Sequence, residues 1–356
     1  MQKINIQFLK PGMEIGKTIY SSDGKVLLSE GLKIKSSYID KLMDLGITEI
    51  YVNTSETSDI DIKDVIEEQN RLAAKEIIKL TMEKVYIGKE FSTELIHETV
   101  LSILDDLLND DGIIMNLSDI RAVDDYTFGH SVNVCVLSLI SGISMGYDKD
   151  KLIKLGIGAI LHDIGKILVS QDILNKPGSL NEHEFNEIKK HTQLGYEILQ
   201  RYPKLDNASM LVVLEHHERY NGTGYPAGKR EDEIHEFARI VAIADVYDAL
   251  TSDRVYKKKI FPHEAIEYLI SMGNHHFDYD IVKKFTLHVA SYPIGTMVQL
   301  SSGIQGVVIG NNKNYPNRPK IRCVLDGNGR RFAIKTELEL TNNPSVTIAK
   351  VIEYIG

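Results

Sequence analysis

Seven side chains of this sequence have the types and spacing of a metal cage. His162 and Asp163 are adjacent within LHDIGK, and His216 and His217 open the later motif HHERYNGTGYP. His130 lies in GHSVNV, His191 in KKHTQLG and Asp245 in IADVYDAL. Imidazole and carboxylate donors together suit iron, manganese, zinc, nickel or copper better than magnesium or calcium. A tetrahedral ion is satisfied by four ligands, so six or seven donors argue for at least two metals. A lone histidine on an apolar helix face is ordinarily a packing residue. The adjacent aspartate lifts His162 above that reading, as do Gly165 and Lys166 immediately after it. Gly165 is expected to end the helix cheaply. Lys166 is expected to set a cation beside the cage, where it can hold a phosphate oxygen. In the second motif the apolar run MLVVL sets His216 and His217 at the buried end of a helix. Gly222 and Gly224 permit positive φ and close backbone approach to a ligand. Tyr225 offers a stacking face and a hydroxyl, and Pro226 stiffens the loop.

The elements that must position these groups are helical. HSVNVCVLSLISGISMG, DKLIKLGIGAILHDIGK, NEHEFNEIKKHTQLGYEILQ, SMLVVLEHHE and FARIVAIADVYDALTS are helix-forming segments, most of them with an apolar stripe. Loops with Pro177-Gly178, Asn221-Gly222 and Gly224 separate them. Residues 103–290 therefore read as an all-helical domain. Residues 56–102 read as a helical connector that packs on that domain, with a homodimer seam as the second reading. Residues 1–55 read as a small mixed α/β module, and residues 291–356, with short β-branched runs between turns, as a small barrel-like β module. The fold class is thus multidomain and mainly α.

Composition narrows the partners. The chain has 356 residues, 43% hydrophobic and 26% charged, with net charge −9, as expected for two or three globular domains. An acidic chain is a poor binder of long nucleic acid, which needs clustered Lys and Arg. Cys135 and Cys323 make no disulfide framework, so the expected setting is a reducing cytoplasm. The start of the sequence has no apolar signal core. No stretch reaches the roughly 18 apolar residues of a spanning helix, so no membrane insertion is expected.

LHDIGK followed by HHERYNGTGYP resembles the HD-GYP subgroup of the HD superfamily of metal-dependent phosphohydrolases, over roughly residues 103–290. The resemblance implies an all-helical fold and a non-haem centre of two or three metals, usually iron or manganese. It implies hydrolysis of cyclic di-GMP to linear pGpG, GMP or both, with cyclic GMP-AMP as the substrate of some members. It implies His130, His162, Asp163, His191, His216, His217 and Asp245 as ligands, and Asp163 as the group that ligates both ions. Lys166, Arg254 and Lys257 match the phosphate-contacting cations, and Gly224, Tyr225 and Pro226 are the signature loop. Members with a third metal carry Glu four residues before the first histidine. Here that position is Tyr126, so a two-metal centre is expected. In the implied reaction a metal-bridging hydroxide attacks phosphorus, with His162, Asp163 and Lys166 at the catalytic centre. A sensor that binds the cyclic dinucleotide with little turnover is the competing reading, and the full ligand set argues against it. Asp248 and Arg239 are candidates to support the ligands. His97, His183, His235, His263, His275, His276 and His288 match no ligand position and read as surface, capping or packing residues.

Overall fold

The computed structural model describes residues 1–21, 24–62, 64–109, 126–252 and 259–353, with the backbone alone at 126 and 127. The described residues form two compact units. One gathers residues up to Val65 and from Val289 onward, and the other gathers those between Ile66 and His288.

The first unit begins with strands β1 (Gln2–Asn5), β2 (Glu14–Ile15), β3 (Ile19–Tyr20) and β4 (Val26–Leu28), helix α1 (Ser36–Asp44) and strand β5 (Glu49–Asn53). β5 lies between β1 and β2, antiparallel to both, with Val52 opposite Gln2 on one side and Ile15 on the other. Its residues Ile50, Tyr51 and Val52 are all buried, as expected of a central strand covered on both faces. The unit continues with β6 (Met297–Leu300), β7 (Gln305–Gly310), β8 (Lys320–Leu325), β9 (Arg331–Glu339) and β10 (Ile348–Val351). These form an antiparallel sheet in the order β10-β6-β7-β8-β9. Among the described residues no ladder joins β9 to β10, so the sheet is open rather than closed into a barrel. The sequence separates residues 1–55 from 291–356, yet in space both ends share one core. Tyr51, Ile60 and Ile62 pack with Met297, Val307 and Val324. The buried Arg322 pairs with Asp59 at 2.6 Å and Glu337 at 2.8 Å.

The second unit is helical: α2 (Glu68–Tyr86), α3 (Thr93–Leu108), α4 (Tyr126–Ser144), α5 (Lys149–Leu161), α6 (Gln171–Leu174), α7 (Glu182–Leu199), α8 (Asn207–Glu215), α9 (Glu236–Thr251), α10 (Pro262–Ser271) and α11 (Tyr279–Thr286). Local chemistry fixes the starts that matter. The Asp148 carboxylate accepts from Lys151 N, and Asp206 accepts from Ala208 N. Asn181 and Glu184 form a reciprocal capping box at α7. His235 caps α9 by accepting from Phe237 N. Residues Phe237–Ala238 and Ile240–Asp245 of α9 are buried, so this helix has no exposed face and runs through the core. α4 packs against α5 and α9, and α8 packs against α5, α7 and α9. α2 packs on α3 and α4, and its Ala74, Ile78 and Met82 are buried. Among the described residues no helix is long and apolar enough to cross a membrane.

Candidate metal centre

Five helices bring the seven predicted donors together. His130 projects from the second turn of α4. His162 is the C-cap of α5 and Asp163 follows it. His191 lies within α7, His216 is the C-cap of α8 with His217 next, and Asp245 lies within α9. All are buried except His217, whose side chain is a quarter exposed.

The donors fall into two clusters. Asp163, His191, His216 and His217 form one, and His130, His162 and Asp245 form the other; within each, the ligand atoms lie within 4.8 Å of one another. Asp163 faces both. Its Oδ1 is 3.4 Å from His191 Nε2 and 3.9 Å from His216 Nε2. Its Oδ2 is 3.3 Å from His162 Nε2 and 3.8 Å from His130 Nε2. Asp245 also spans the site, with Oδ1 3.1 Å from His130 Nε2 and Oδ2 3.9 Å from His217 Nδ1.

Backbone carbonyls fix the tautomers, because a carbonyl only accepts. His162 Nδ1 donates to Ala159 O at 2.8 Å, His191 Nδ1 to Ile188 O at 2.6 Å, and His216 Nδ1 to the Val212 and Val213 carbonyls at 3.1 Å. Each Nε2 lone pair is left facing the cage, the orientation metal-ligating histidines require. His130 Nδ1 bonds Asp248 Oδ2 at 2.7 Å, so Asp248 is a ligand support. Arg239 is not, because its guanidinium pairs with Asp232 and Asp278.

Charge states favour cation binding. Burial lowers His191 to about 4 and His216 well below its usual value, with neighbouring histidines adding to the effect at His216. Burial alone would raise Asp163, but the neighbouring His162 and the Lys166 ammonium hold it well below the ordinary carboxylate range. Neutral imidazoles and ionised carboxylates are the forms that ligate. His162 Nε2 and Asp163 Oδ1 are buried without a hydrogen-bond partner, a costly arrangement that metal coordination at those atoms would satisfy. The donor set therefore fits a metal pair.

His130 behaves differently. Burial pushes its pKa down, but hydrogen bonds with Asp245 and Asp248 outweigh this and raise it to about 9. A metal taking Nε2 must displace that proton. Apparent affinity at this cluster is therefore expected to rise with pH, roughly tenfold per unit up to about pH 9, with one proton released per metal. Metal titration in weakly buffered indicator dye checks this; a flat affinity between pH 6 and 8 would contradict it.

Gly165 does not end α5, which closes at Leu161 with His162 as its cap. It sits in a 3-10 turn, Ile164–Leu168, pressed against α7. A Cβ there would meet His191 O at 2.0 Å and Gly195 N at 2.6 Å. Both are backbone atoms that cannot rotate away. Gly165→Ala is expected to force α7 from the turn, with loss of metal and about 3 kcal/mol of stability, the upper end for overpacking. Denaturant titration with metal analysis decides it; full stability and loading would show that the turn can yield.

The loop after His217 is held from beneath by Glu218. Its buried carboxylate accepts from Ala227 N at 2.7 Å, Gly228 N at 3.0 Å and Lys229 N at 3.1 Å. Gly224 meets the backbone of Glu218 and Arg219, where a Cβ would come within 2.3 Å of Arg219 N. The Tyr225–Pro226 bond is cis. The Tyr225 ring lies 4.9 Å from the His217 ring and covers it. Glu215 accepts from Lys229 Nζ at 2.6 Å and His235 N at 2.8 Å. Neither Glu215 nor Glu218 stands out in the sequence, where acids at a helix end look like ordinary solvated residues. Lys166 Nζ donates to Asp163 Oδ2 at 2.6 Å. Arg254, Lys257 and the side chain of Tyr126 lie outside the described residues.

Comparison with known proteins locates the same segment. Residues 125–281 match the family model described as HD domain, and residues 297–354 match one described as KOW domain associated with HD domain. Over 244 residues the chain is 34% identical to the cyclic di-GMP phosphodiesterase PA4108 of Pseudomonas aeruginosa, covering 68% of this chain and 59% of that protein. It is 38% identical over 162 residues to the cyclic di-GMP phosphodiesterase response regulator RpfG of Xanthomonas campestris, covering 44% and 43%. A 3'3'-cGAMP-specific phosphodiesterase of Vibrio cholerae is 37% identical over 138 residues, covering 39% and 30%. The chain thus spans less than two thirds of the length of each of these relatives. Among solved structures, Bd1817, an HDG"Y"P protein from Bdellovibrio bacteriovorus, shares the fold with TM-score 0.52 and 19% identity, covering 80% of this chain and 97% of that one.

Proposed function

The chain carries an HD domain of the HD-GYP type, and on that premise we propose that it is a metal-dependent phosphodiesterase hydrolysing cyclic di-GMP to pGpG, GMP or both. The observation that carries the reading is Asp163, whose two oxygens each face one of two donor clusters. The first cluster would be completed by His191, His216 and His217, and the second by His130, His162 and Asp245. The expected loading is two ions, iron or manganese. When bound, such a pair supplies Lewis-acid activation of water and of the phosphodiester.

The chain's own residues supply the rest. Asp163 holds the clusters in register. Lys166, 29% exposed and hinged beside Asp163, can reach from the carboxylate to a non-bridging phosphate oxygen and offset charge that grows in the transition state. Gly224, Tyr225 and Pro226 shape the mouth next to His217, against the base or ribose. Arg254 and Lys257 complete the phosphate contacts. Arg254→Ala should lose one charge-assisted contact of about 1.5–3 kcal/mol, roughly a 10- to 150-fold loss in kcat/KM. Its metal content should stay normal, and a metal-poor variant would mean the role is misassigned.

Anaerobic purification with elemental analysis, followed by chromatography of products, tests the reading. About two metals per chain and linear products from cyclic di-GMP are expected. Full loading without turnover would favour the sensor reading. The similarity to a cGAMP-specific relative makes cyclic GMP-AMP the second substrate to compare, and faster turnover of it would reverse the assignment. The helical connector is the surface proposed for a homodimer, and the proposed setting is cytoplasmic.

A further inference from the structure

We infer that Arg71, on α2 and outside the matched HD segment, is a positioning residue for the His130 half of the metal centre. The inference rests on the metal-centre reading above. Four buried side chains form an unbroken chain. Arg71 Nη1 donates to Asn133 Oδ1 at 2.9 Å, and Asn133 Nδ2 donates to Asp248 Oδ1 at 2.9 Å. Asp248 Oδ2 meets His130 Nδ1 at 2.7 Å, and His130 Nε2 faces Asp245 Oδ1 at 3.1 Å. Arg71, Asn133, Asp248 and His130 are each less than 9% exposed.

The donor and acceptor inventory makes the chain directional. A guanidinium only donates and a carboxylate only accepts. Asn133 lies between them, and its amide does both. Arg71 therefore selects the amide orientation in which Nδ2 points at Asp248. That bond, with a second from Ser252 Oγ at 3.3 Å, fixes the Asp248 plane so that the other oxygen accepts a hydrogen bond from His130 Nδ1. The His130 ring is then held with Nε2 toward the cage. α2 is built to reach this point. One turn after Arg71, the buried Lys75 passes Gly129, where a Cβ would lie 3.2 Å from Lys75 Cε. The residue next to His130 thus admits a long side chain from α2. In the other cluster, His191 and His216 are instead oriented by carbonyls of their own helices.

Arg71→Met keeps the length and removes the donors. Its test is manganese binding by the full-length chain in competition with a chelator, with circular dichroism as a check on folding. Outer hydrogen-bond partners of metal-bound histidines typically contribute about 10- to 100-fold in affinity. One of the two ions should weaken by that factor while the other stays at wild-type affinity, and Arg71→Lys, which keeps a donor, should recover part of the loss. Should Arg71→Met fail to fold, Asn133→Ser interrupts the same chain with Arg71 in place and carries the same expectation. Wild-type affinity for both ions in a folded variant, or equal weakening of both, overturns the inference while leaving the metal centre standing. A wild-type chain that takes up no manganese or iron would instead remove the reading beneath it.

Discussion

Replacing His162 and Asp163 together with alanine is expected to reduce bound metal to background and abolish phosphodiester hydrolysis, with the helical circular dichroism unchanged. The size of the effect follows from Asp163, whose two oxygens face different clusters and lie near four of the histidines. Its loss removes a ligand from both halves, and His162 leaves with it. The helices do not depend on the pair. The apolar residues that pack α5, Leu152, Leu155 and Ile160 among them, lie elsewhere on the helix, and Lys166 is exposed enough to find water when its carboxylate is gone. A second readout separates a lost cage from a damaged fold. Metal at about 100 times its Kd should stabilise the wild-type chain by about 2.7 kcal/mol, and the variant should gain nothing. Normal turnover or a metal-dependent stability gain in the variant would place the cage elsewhere.

The second large effect is expected from Glu218→Ala. Three backbone N–H groups of the loop after the signature motif depend on this one buried carboxylate. Each charge-assisted bond is worth about 1.5–3 kcal/mol. Spending even one of them on loop opening lowers kcat/KM by about 10- to 150-fold, and losing all three should exceed about 100-fold. The hydrogen bonds that Glu218 accepts come from the loop and not from the seven donors, so metal content should remain near the wild-type value. Glu218→Gln, which retains one accepting oxygen, should fall between the two. Kinetics on cyclic di-GMP with parallel metal analysis checks this. Unimpaired kcat/KM in Glu218→Ala would mean the loop is held by other contacts, and loss of metal would mean Glu218 acts on the cage.

Much of the site was legible in the sequence because its information is local. A histidine followed by aspartate at the close of GIGAIL, and two histidines at the close of MLVVL, place polar groups at buried helix ends, and helix ends leave room for side chains to converge. The helical domain was legible for the same reason, since apolar recurrence at three and four residues is a local signal. The shared core of the two terminal segments was not, because Tyr51 meets Met297 only after some 240 intervening residues have folded. The terminal sheet read as barrel-like because strand spacing does not say whether the first and last strands meet.

Within the site, the sequence by itself determined which residues can ligate, and tertiary structure decided what each one touches. Asp245 and Asp248 lie three apart on α9 and share a face, so periodicity cannot say which reaches the cage. The position of α4 decides it, by presenting His130 Nε2 to Asp245 and Nδ1 to Asp248. Gly165 could be read as a helix terminator because that is glycine's local use. Its actual constraint is the α7 backbone, 26 residues further on at His191. Glu218 and Asn133 carry no local mark, because a buried hydrogen bond is a property of two segments and only their packing brings donor and acceptor within reach.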